Sequence, residues 1–383
     1  MNLKSENLVE IRRDFHRFPE LGFKEKRTKD KIIGYLKELG LDVHSGAGIV
    51  GVLRSGEGSK VIGLRADMDA LPIRETNTHD YVSNNTGVMH ACGHDGHMAM
   101  LLGAAHKLST NANFSGTIVF IFQPNEELGL GAKAMMDEGL LENFPIQEIY
   151  GMHNLPGVPT GELLTRSGII CSSESLFEIK IKGMGGHSSM PQLGRDAITI
   201  GSEVVQALQT IISRRIGSGS GAVVSVTEFV SNGQRNVLPG ETILKGDVRT
   251  RRPDDRKKIE LFLNQISNGI ASAHDIEIEV SFETEFIETI NHIKPTEAVL
   301  KTAKKSGLKI TDCKPMSFSE DFAHFSNAVP GCFFLLGNGI DGANNKPLHS
   351  SDYDFNDDLL PIGADFWASL AKNCLSKEES NSV

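Results

Sequence analysis

Cys92 and His94 flank a single glycine in the run His90-Ala-Cys-Gly-His-Asp95, so a thiolate and an imidazole can face one ion across a tight turn. Both are donor types that bind first-row transition metals. No second cysteine stands near enough to make a zinc finger or a redox pair. A lone cysteine is more often a small buried hydrophobe, so the metal reading depends on what can join it. Further donors follow short apolar runs: Glu126 and Glu127 after residues 117–122, His153 after 148–152, and His349 in a Gly/Asn-rich loop after 332–336. Adjacent carboxylates repel unless a cation intervenes. One of the pair can then ligate while the other holds an attacking water, whereas on a solvated loop the two are ordinary surface charge. The candidate ligands are Cys92, His94, Glu127, His153 and His349. Five donors exceed one tetrahedral site, so two ions sharing a bridging ligand are expected.

Asp67 and Asp69 alternate with Ala66 and Met68 and so point to one side of an extended segment. They either support a ligand from behind or cap a buried turn. In Gly183-Met-Gly-Gly-His-Ser-Ser189 the glycines let backbone and His187 approach a ligand closely, unless the run is only a strand-to-helix turn with an incidental histidine. His16, His44, His79, His97, His106, His292 and His324 read as surface or packing residues. Among them His97, on the helix after Cys92, is also placed to support a ligand.

These residues lie far apart in the chain, so the fold must gather them. Leu8, Ile11, Phe15 and Phe18 before Pro19 predict an opening amphipathic helix. Runs with strand composition at 61–65, 117–122 and 148–152 then alternate with helical patterns such as 96–108 and 131–141. That rhythm predicts an α/β fold, a mostly parallel sheet covered by helices, in which ligands bind outside the carboxyl ends of the strands. From 176 the pattern changes to apolar/charged alternation, and the predicted order is strand 176–183, helix 196–213, strands 222–230 and 242–250, helix 254–273, strand 276–286. This is a ferredoxin-like α+β arrangement. The expected organisation is a metal-binding catalytic domain from 1–174 and 289–383, with an inserted satellite domain at 175–288. The polar tail 376–383 is expected to fray.

The 383 residues carry a net charge of −10 with no long basic block, which argues against nucleic acid or an anionic membrane as partner and toward small-molecule chemistry. The start of the chain shows no apolar signal region, and no stretch reaches the roughly 20 apolar residues a bilayer span needs. A soluble, cytoplasmic protein is expected. Its five cysteines (92, 171, 313, 332, 374) are scattered and odd in number, so reduced thiols are expected.

Ordered motifs run along nearly the whole chain: Asp14-Phe-His-Arg-Phe-Pro-Glu20, Arg65-Ala-Asp-Met-Asp-Ala-Leu-Pro72, Met89-His-Ala-Cys-Gly-His-Asp-Gly-His97, Gln123-Pro-Asn-Glu-Glu127, Gly185-Gly-His-Ser-Ser189, Asn236-Val-Leu-Pro239, Ser319-Glu-Asp-Phe322 and Leu348-His-Ser350. Together they resemble the amidohydrolase branch of the co-catalytic metallopeptidases, which includes aminoacylases, hippurate hydrolases and indole-3-acetyl-amino acid hydrolases. The resemblance implies hydrolysis of an N-acyl amino acid to a carboxylic acid and a free amino acid, with metal ligation on the five residues named above; for the two divalent ions expected there the donor types suit Zn, and Mn, Co or Ni are compatible. It assigns Glu126 as general base and His187 to the tetrahedral oxyanion, in its own or a neighbouring subunit's site. It also implies Asn236 and Arg249 as substrate-carboxylate groups and a homodimer or higher homo-oligomer formed through the satellite domain, which is expected to close over the larger one. One departure is visible, because relatives usually read Pro-Ala-Glu-Glu followed by glycines, whereas here Asn125 precedes the pair and Leu128-Gly-Leu130 follows it. A metallo-dipeptidase or carboxypeptidase and an inactive metal-bound binding protein are the rival readings.

Overall fold

The computed structural model describes residues 5–376. Two compact units are formed, one from the chain up to Ile170 with Thr289–Lys314 and the chain from Asp321, the other from Cys171–Glu288 with Pro315–Glu320.

The first unit is built on an eight-stranded sheet. Its centre is four neighbouring parallel strands, in the order Gly116–Gln123, Val61–Asp67, Glu148–Pro156 and Gly331–Gly339. Such strands are covered on both faces, so they read as continuous apolar runs without alternation; Gly331–Gly339 is buried at every position. The flanks are mixed. Ile49–Ser55 and Asp42–Ser45 form an antiparallel hairpin on one side, which the sequence reading did not anticipate. Leu163–Leu164 and Ile310–Thr311 complete the other side. The helix His94–Thr110 is buried over most of its circumference, as a core helix must be, and Leu359–Cys374 packs on it. Trp367 on the latter meets Phe334 of the sheet with ring centroids 5.1 Å apart. The opening helix Ser5–Arg17 buries Leu8, Ile11 and Phe15 on the same core.

Because the four central strands run parallel, their carboxyl ends share one edge of the sheet. Asp67 pairs with Gln123 at that edge, so Asp69 and the Glu126–Glu127 turn leave the sheet side by side. His153 departs from the sequence expectation, since it lies within its strand and not after it. The strand continues to Pro156 because His153, Asn154 and Leu155 pair with Leu335, Leu336 and Gly337.

The second unit is a four-stranded antiparallel sheet in the order Val223–Ser231, Glu241–Thr250, Ser173–Lys182, Glu277–Phe286. The chain order is strand, helix, strand, strand, helix, strand, with the helices Ala197–Thr210 and Pro253–His274 between. Along Ser173–Lys182 every second residue is buried, and Phe177, Ile179 and Ile181 join Val204, Leu208, Leu244 and Leu263 in a separate core. The segment 315–320 belongs to this unit and not to the larger part, tied in by the bond from Ser172 N–H to the Phe318 carbonyl at 3.0 Å and from the Ser172 hydroxyl to the Met316 carbonyl at 2.8 Å. Among the described residues no helix is long and apolar enough to cross a membrane.

Candidate metal centre

Three turns present the candidate ligands other than His153, which stands on the strand Glu148–Pro156. Gly93 caps the helix His94–Thr110 with φ 91°, and a Cβ there would stand 2.5 Å from Asn154 Oδ1 and 2.7 Å from Tyr353 Oη. Only glycine fits this left-handed position, and it sets Cys92 and His94 on either side of the turn. Asn125 also has a positive φ, 47°, and donates its backbone N–H to Glu25 Oε1 at 3.0 Å. The turn that follows is closed by Gly129 N–H on the Glu126 carbonyl at 2.8 Å, and Glu127 N–H donates to Asp69 Oδ2 at 3.0 Å. His349, at φ 64°, is tied to the cysteine loop by its own N–H on the Ala91 carbonyl at 2.8 Å.

Their side chains converge. Cys92 Sγ lies 3.3 Å from His153 Nε2, while His153 Nδ1 is 2.7 Å from the Asn154 carbonyl, which directs Nε2 at the thiol. His94 Nδ1 is 2.9 Å from the Asp69 carbonyl, so its Nε2 faces inward, 3.9 Å from Glu127 Oε1. His349 Nε2 is 3.3 Å from the other Glu127 oxygen. Each oxygen of Glu127 thus looks toward a different imidazole, the posture of a bridging carboxylate. Ligand atoms within 4.8 Å of one another form the groups Cys92–His94–His153, Cys92–Glu127–His349 and His94–Glu126–Glu127. All five candidate ligands and Glu126 are therefore brought together.

The electrostatics suit a cation. Burial disfavours charge on His94, but the carboxylates of Asp67, Asp69 and Glu127 outweigh it and push its pKa up to about 10. Burial raises the Cys92 thiol, reinforced by Glu127, Glu126 and Asp67, and burial with the neighbouring His97 holds His153 neutral. His94 Nε2, Glu127 Oε1 and Asp69 Oδ1 are buried without a hydrogen-bond partner. Orphaned buried donors and acceptors are rare in folded proteins. Thiolate, imidazole and carboxylate atoms left facing one another in this way fit divalent metal ions.

A buried framework holds the cluster. His97 Nδ1 is 2.7 Å from Asp67 Oδ1, and its Nε2 is 2.8 Å from Asn154 Oδ1. Arg65 donates to Asp67 at 2.7 Å, to Gln123 Oε1 at 2.8 Å and to Asp321 at 3.1 Å. Asp67 and Asp69 are both buried, one on this framework and the other holding His94 and Glu127 in place. His97 is thus a supporting group, and His16, read from sequence as surface or packing, is fully buried with its Nδ1 2.8 Å from Asp95. Neither has a local pattern that reveals its remote partner.

His187, Asn236 and Arg249 belong to the second unit. His187 is exposed on a two-residue strand paired with Val237–Leu238, its Nδ1 2.9 Å from the Ser189 hydroxyl. Ser188 N–H donates to the Asn236 carbonyl at 3.2 Å. Arg249 is paired with Asp247 at 3.0 Å and with Glu174, and donates to the Ser319 hydroxyl at 3.0 Å, so a substrate carboxylate would compete with those partners.

Residues 63–373 match the family described as Peptidase family M20/M25/M40. The chain is 38% identical to a hippurate hydrolase of Campylobacter jejuni over 94% of each chain. It is 35% identical to thermostable carboxypeptidase 2 of Saccharolobus solfataricus, over 95% of this chain and 94% of that protein. The Bacillus subtilis YXEP protein, described as a dinuclear metal-binding peptidase from the M20 family, superposes with a TM-score of 0.85 at 30% identity, covering 97% of this chain and 98% of that one. The chain belongs to the M20/M25/M40 peptidase family.

Proposed function

We propose that the protein is a metal-dependent amidohydrolase that cleaves N-acyl amino acids to a carboxylic acid and a free amino acid. The observation that carries this is Glu126, grouped with His94 and Glu127 within 4.8 Å, beside a ligand set that is complete without it. A purely structural metal site usually closes with cysteine and histidine alone, without carboxylate donors or a spare glutamate. Hippurate is itself an N-acyl amino acid, and a carboxypeptidase cuts a similar bond, an amide whose nitrogen belongs to an amino acid with a free carboxylate. Peptide cleavage is therefore the second reading, favoured by the carboxypeptidase relative.

Cys92, His94, Glu127, His153 and His349 would hold two divalent ions, for which Zn, Mn, Co and Ni all suit a mixed thiolate, imidazole and carboxylate set. Ions bound there would acidify a water and polarise the amide carbonyl. Glu126 takes the proton of the attacking water and delivers it to the departing nitrogen, a transfer that requires the base within hydrogen-bond reach. His187 would donate to the developing oxyanion in its own or a neighbouring subunit's site, with Asn236 and Arg249 as the groups for the substrate carboxylate. Subunits associate through the second unit, supported by its edge strand Val223–Ser231, which carries the exposed Phe229 and Val230.

Glu126→Gln is expected to retain bound metal and lose turnover of benzoyl-, acetyl- and indoleacetyl-amino acids by at least about 100-fold, the lower range of general-base catalysis. Metal content and initial rates measured on one preparation decide it, and near-normal rates would remove Glu126 as the base. Running dipeptides in the same assay separates the second reading.

A further inference from the structure

A second group of metal-type donors stands apart from the residues assigned above. His16, Glu75 and His79 each offer one ligand atom, all within 4.8 Å of one another. Glu75 Oε1 lies 3.1 Å from His16 Nε2 and 3.2 Å from His79 Nε2. The His16 contact is a hydrogen bond as it stands, and a tetrahedral ion with bonds of about 2.0–2.1 Å, which holds its ligand atoms roughly 3.3 Å apart, would fit between the same three atoms with little movement. Both ring nitrogens of His79 are shielded from solvent yet make no hydrogen bond, so the 3.2 Å approach to Glu75 is not aligned as one.

The donors are also held from behind. His16 Nδ1 is 2.8 Å from Asp95 Oδ2, the carboxylate–histidine pairing that orients an imidazole toward a metal. Glu75 Oε2 accepts the Ser83 N–H at 2.7 Å, and Asn77 donates to Glu75 Oε1 at 3.1 Å. The His79 ring stacks on Tyr81 at 3.7 Å. Arg12 lies beside the group, with Nη2 3.5 Å from His16 Nδ1, but it is paired with Asp95 at 2.8 Å, Asp354 at 2.5 Å and Asp357 at 3.4 Å. With Glu75 the carboxylates outnumber Arg12 and Arg13, and against its burial Asp95 and Glu75 raise the pKa of His16, so a divalent ion here would take the place of the proton that His16 otherwise holds.

We infer that His16, Glu75 and His79 form a third cation site for a zinc-class divalent ion, with water completing the coordination. Two imidazoles and one carboxylate are a donor set such ions accept. The ion has a structural task. Residues 74–88 contain neither helix nor strand and lead directly into the Cys92–His94 turn. A cation bound there clamps this segment to the opening helix Ser5–Arg17, which carries His16.

The test counts ions in the full-length protein and does not depend on any hydrolytic activity. Protein carrying Cys92→Ala and His153→Ala, which weakens the first centre, is stripped with chelator, loaded with Zn2+ or Co2+ and freed of excess ion by gel filtration. One equivalent per chain is expected to persist, with cobalt absorption that lacks a thiolate charge-transfer band. Adding His79→Ala or the isosteric Glu75→Gln is expected to abolish that equivalent while circular dichroism stays unchanged. Equal metal content with and without Glu75→Gln overturns the site. Failure of the amidohydrolase reading would appear instead as absent turnover in wild-type protein, with this count unaffected.

Discussion

An alanine at position 93 would have to hold φ near 91° and bring its methyl carbon within 2.5 Å of Asn154 Oδ1. The left-handed conformation alone costs a non-glycine residue about 1–2 kcal/mol, before the overlap is relieved. Gly93→Ala is therefore expected to lower stability by at least about 2 kcal/mol and to reduce metal content, because the turn that aims Cys92 and His94 must open. Urea titration with metal analysis checks this, and a variant with wild-type midpoint and metal content would refute it. Glu25 gives a pH-dependent case. Burial, with added repulsion from Asp69, pushes its pKa up to about 7. The folded state then keeps a proton that the unfolded chain releases above about pH 4.3, so stability falls as pH rises to about 7 and levels off beyond it. In chelator, Glu25→Gln is expected to gain up to about 3 kcal/mol at about pH 8 and nothing at about pH 4, its amide oxygen still accepting the Asn125 N–H. An equal effect at both pH values would mean that Glu25 ionises normally. At this scale the sequence displays Cys92, His94, Glu126 and Glu127 as motifs, since their chemistry depends on neighbours one or two residues away. It hides His16, whose partners Asp95 and Glu75 are 79 and 59 residues distant.

Arg65 joins three elements: it lies on the strand Val61–Asp67, bonds Gln123 at the end of the next strand and reaches Asp321. Asp67, Arg65 and Asp321 are fully buried. Removing the cation from such a group leaves carboxylates uncompensated, so Arg65→Met is expected to cost about 3–5 kcal/mol. Arg65→Lys is expected to recover little of it, because an ammonium cannot reproduce a planar fork that reaches three partners. Denaturant midpoints of the two variants decide the matter, and a mild loss in both would mean that the pairing is incidental. The central strands are legible in sequence because each is an uninterrupted apolar run, and the second unit's strands because they alternate. The end of the strand carrying His153 is not, since Asn154 and Pro156 look like loop and only pairing with Gly331–Gly339 extends it. Residues 315–320 are too few to show a period, and their attachment to Ser172 is a long-range bond.

At the scale of the whole molecule, the edge strand Val223–Ser231 pairs with Glu241–Thr250 and occupies an end of its sheet. An exposed edge with apolar side chains is a template for another chain, and a charge placed on it blocks such pairing. Phe229→Lys and Val230→Lys together are expected to shift the sedimenting species toward monomer with the fold retained, whereas an unchanged distribution would exclude this edge as the interface. The parallel sheet of the first unit has a further consequence in time. Three of its four central strands, Val61–Asp67, Gly116–Gln123 and Glu148–Pro156, follow one another in the chain, while Gly331–Gly339, the neighbour of Glu148–Pro156, and the His349 loop come only after the whole second unit. At about 5–20 residues per second the wait between His153 and His349 is roughly 10–40 s. During that interval the edge of Glu148–Pro156 that pairs with Gly331–Gly339 has no partner strand. A nascent chain can therefore complete its candidate five-residue metal centre only after His349 has been made, and until then this unfinished sheet is the stage most exposed to misassembly.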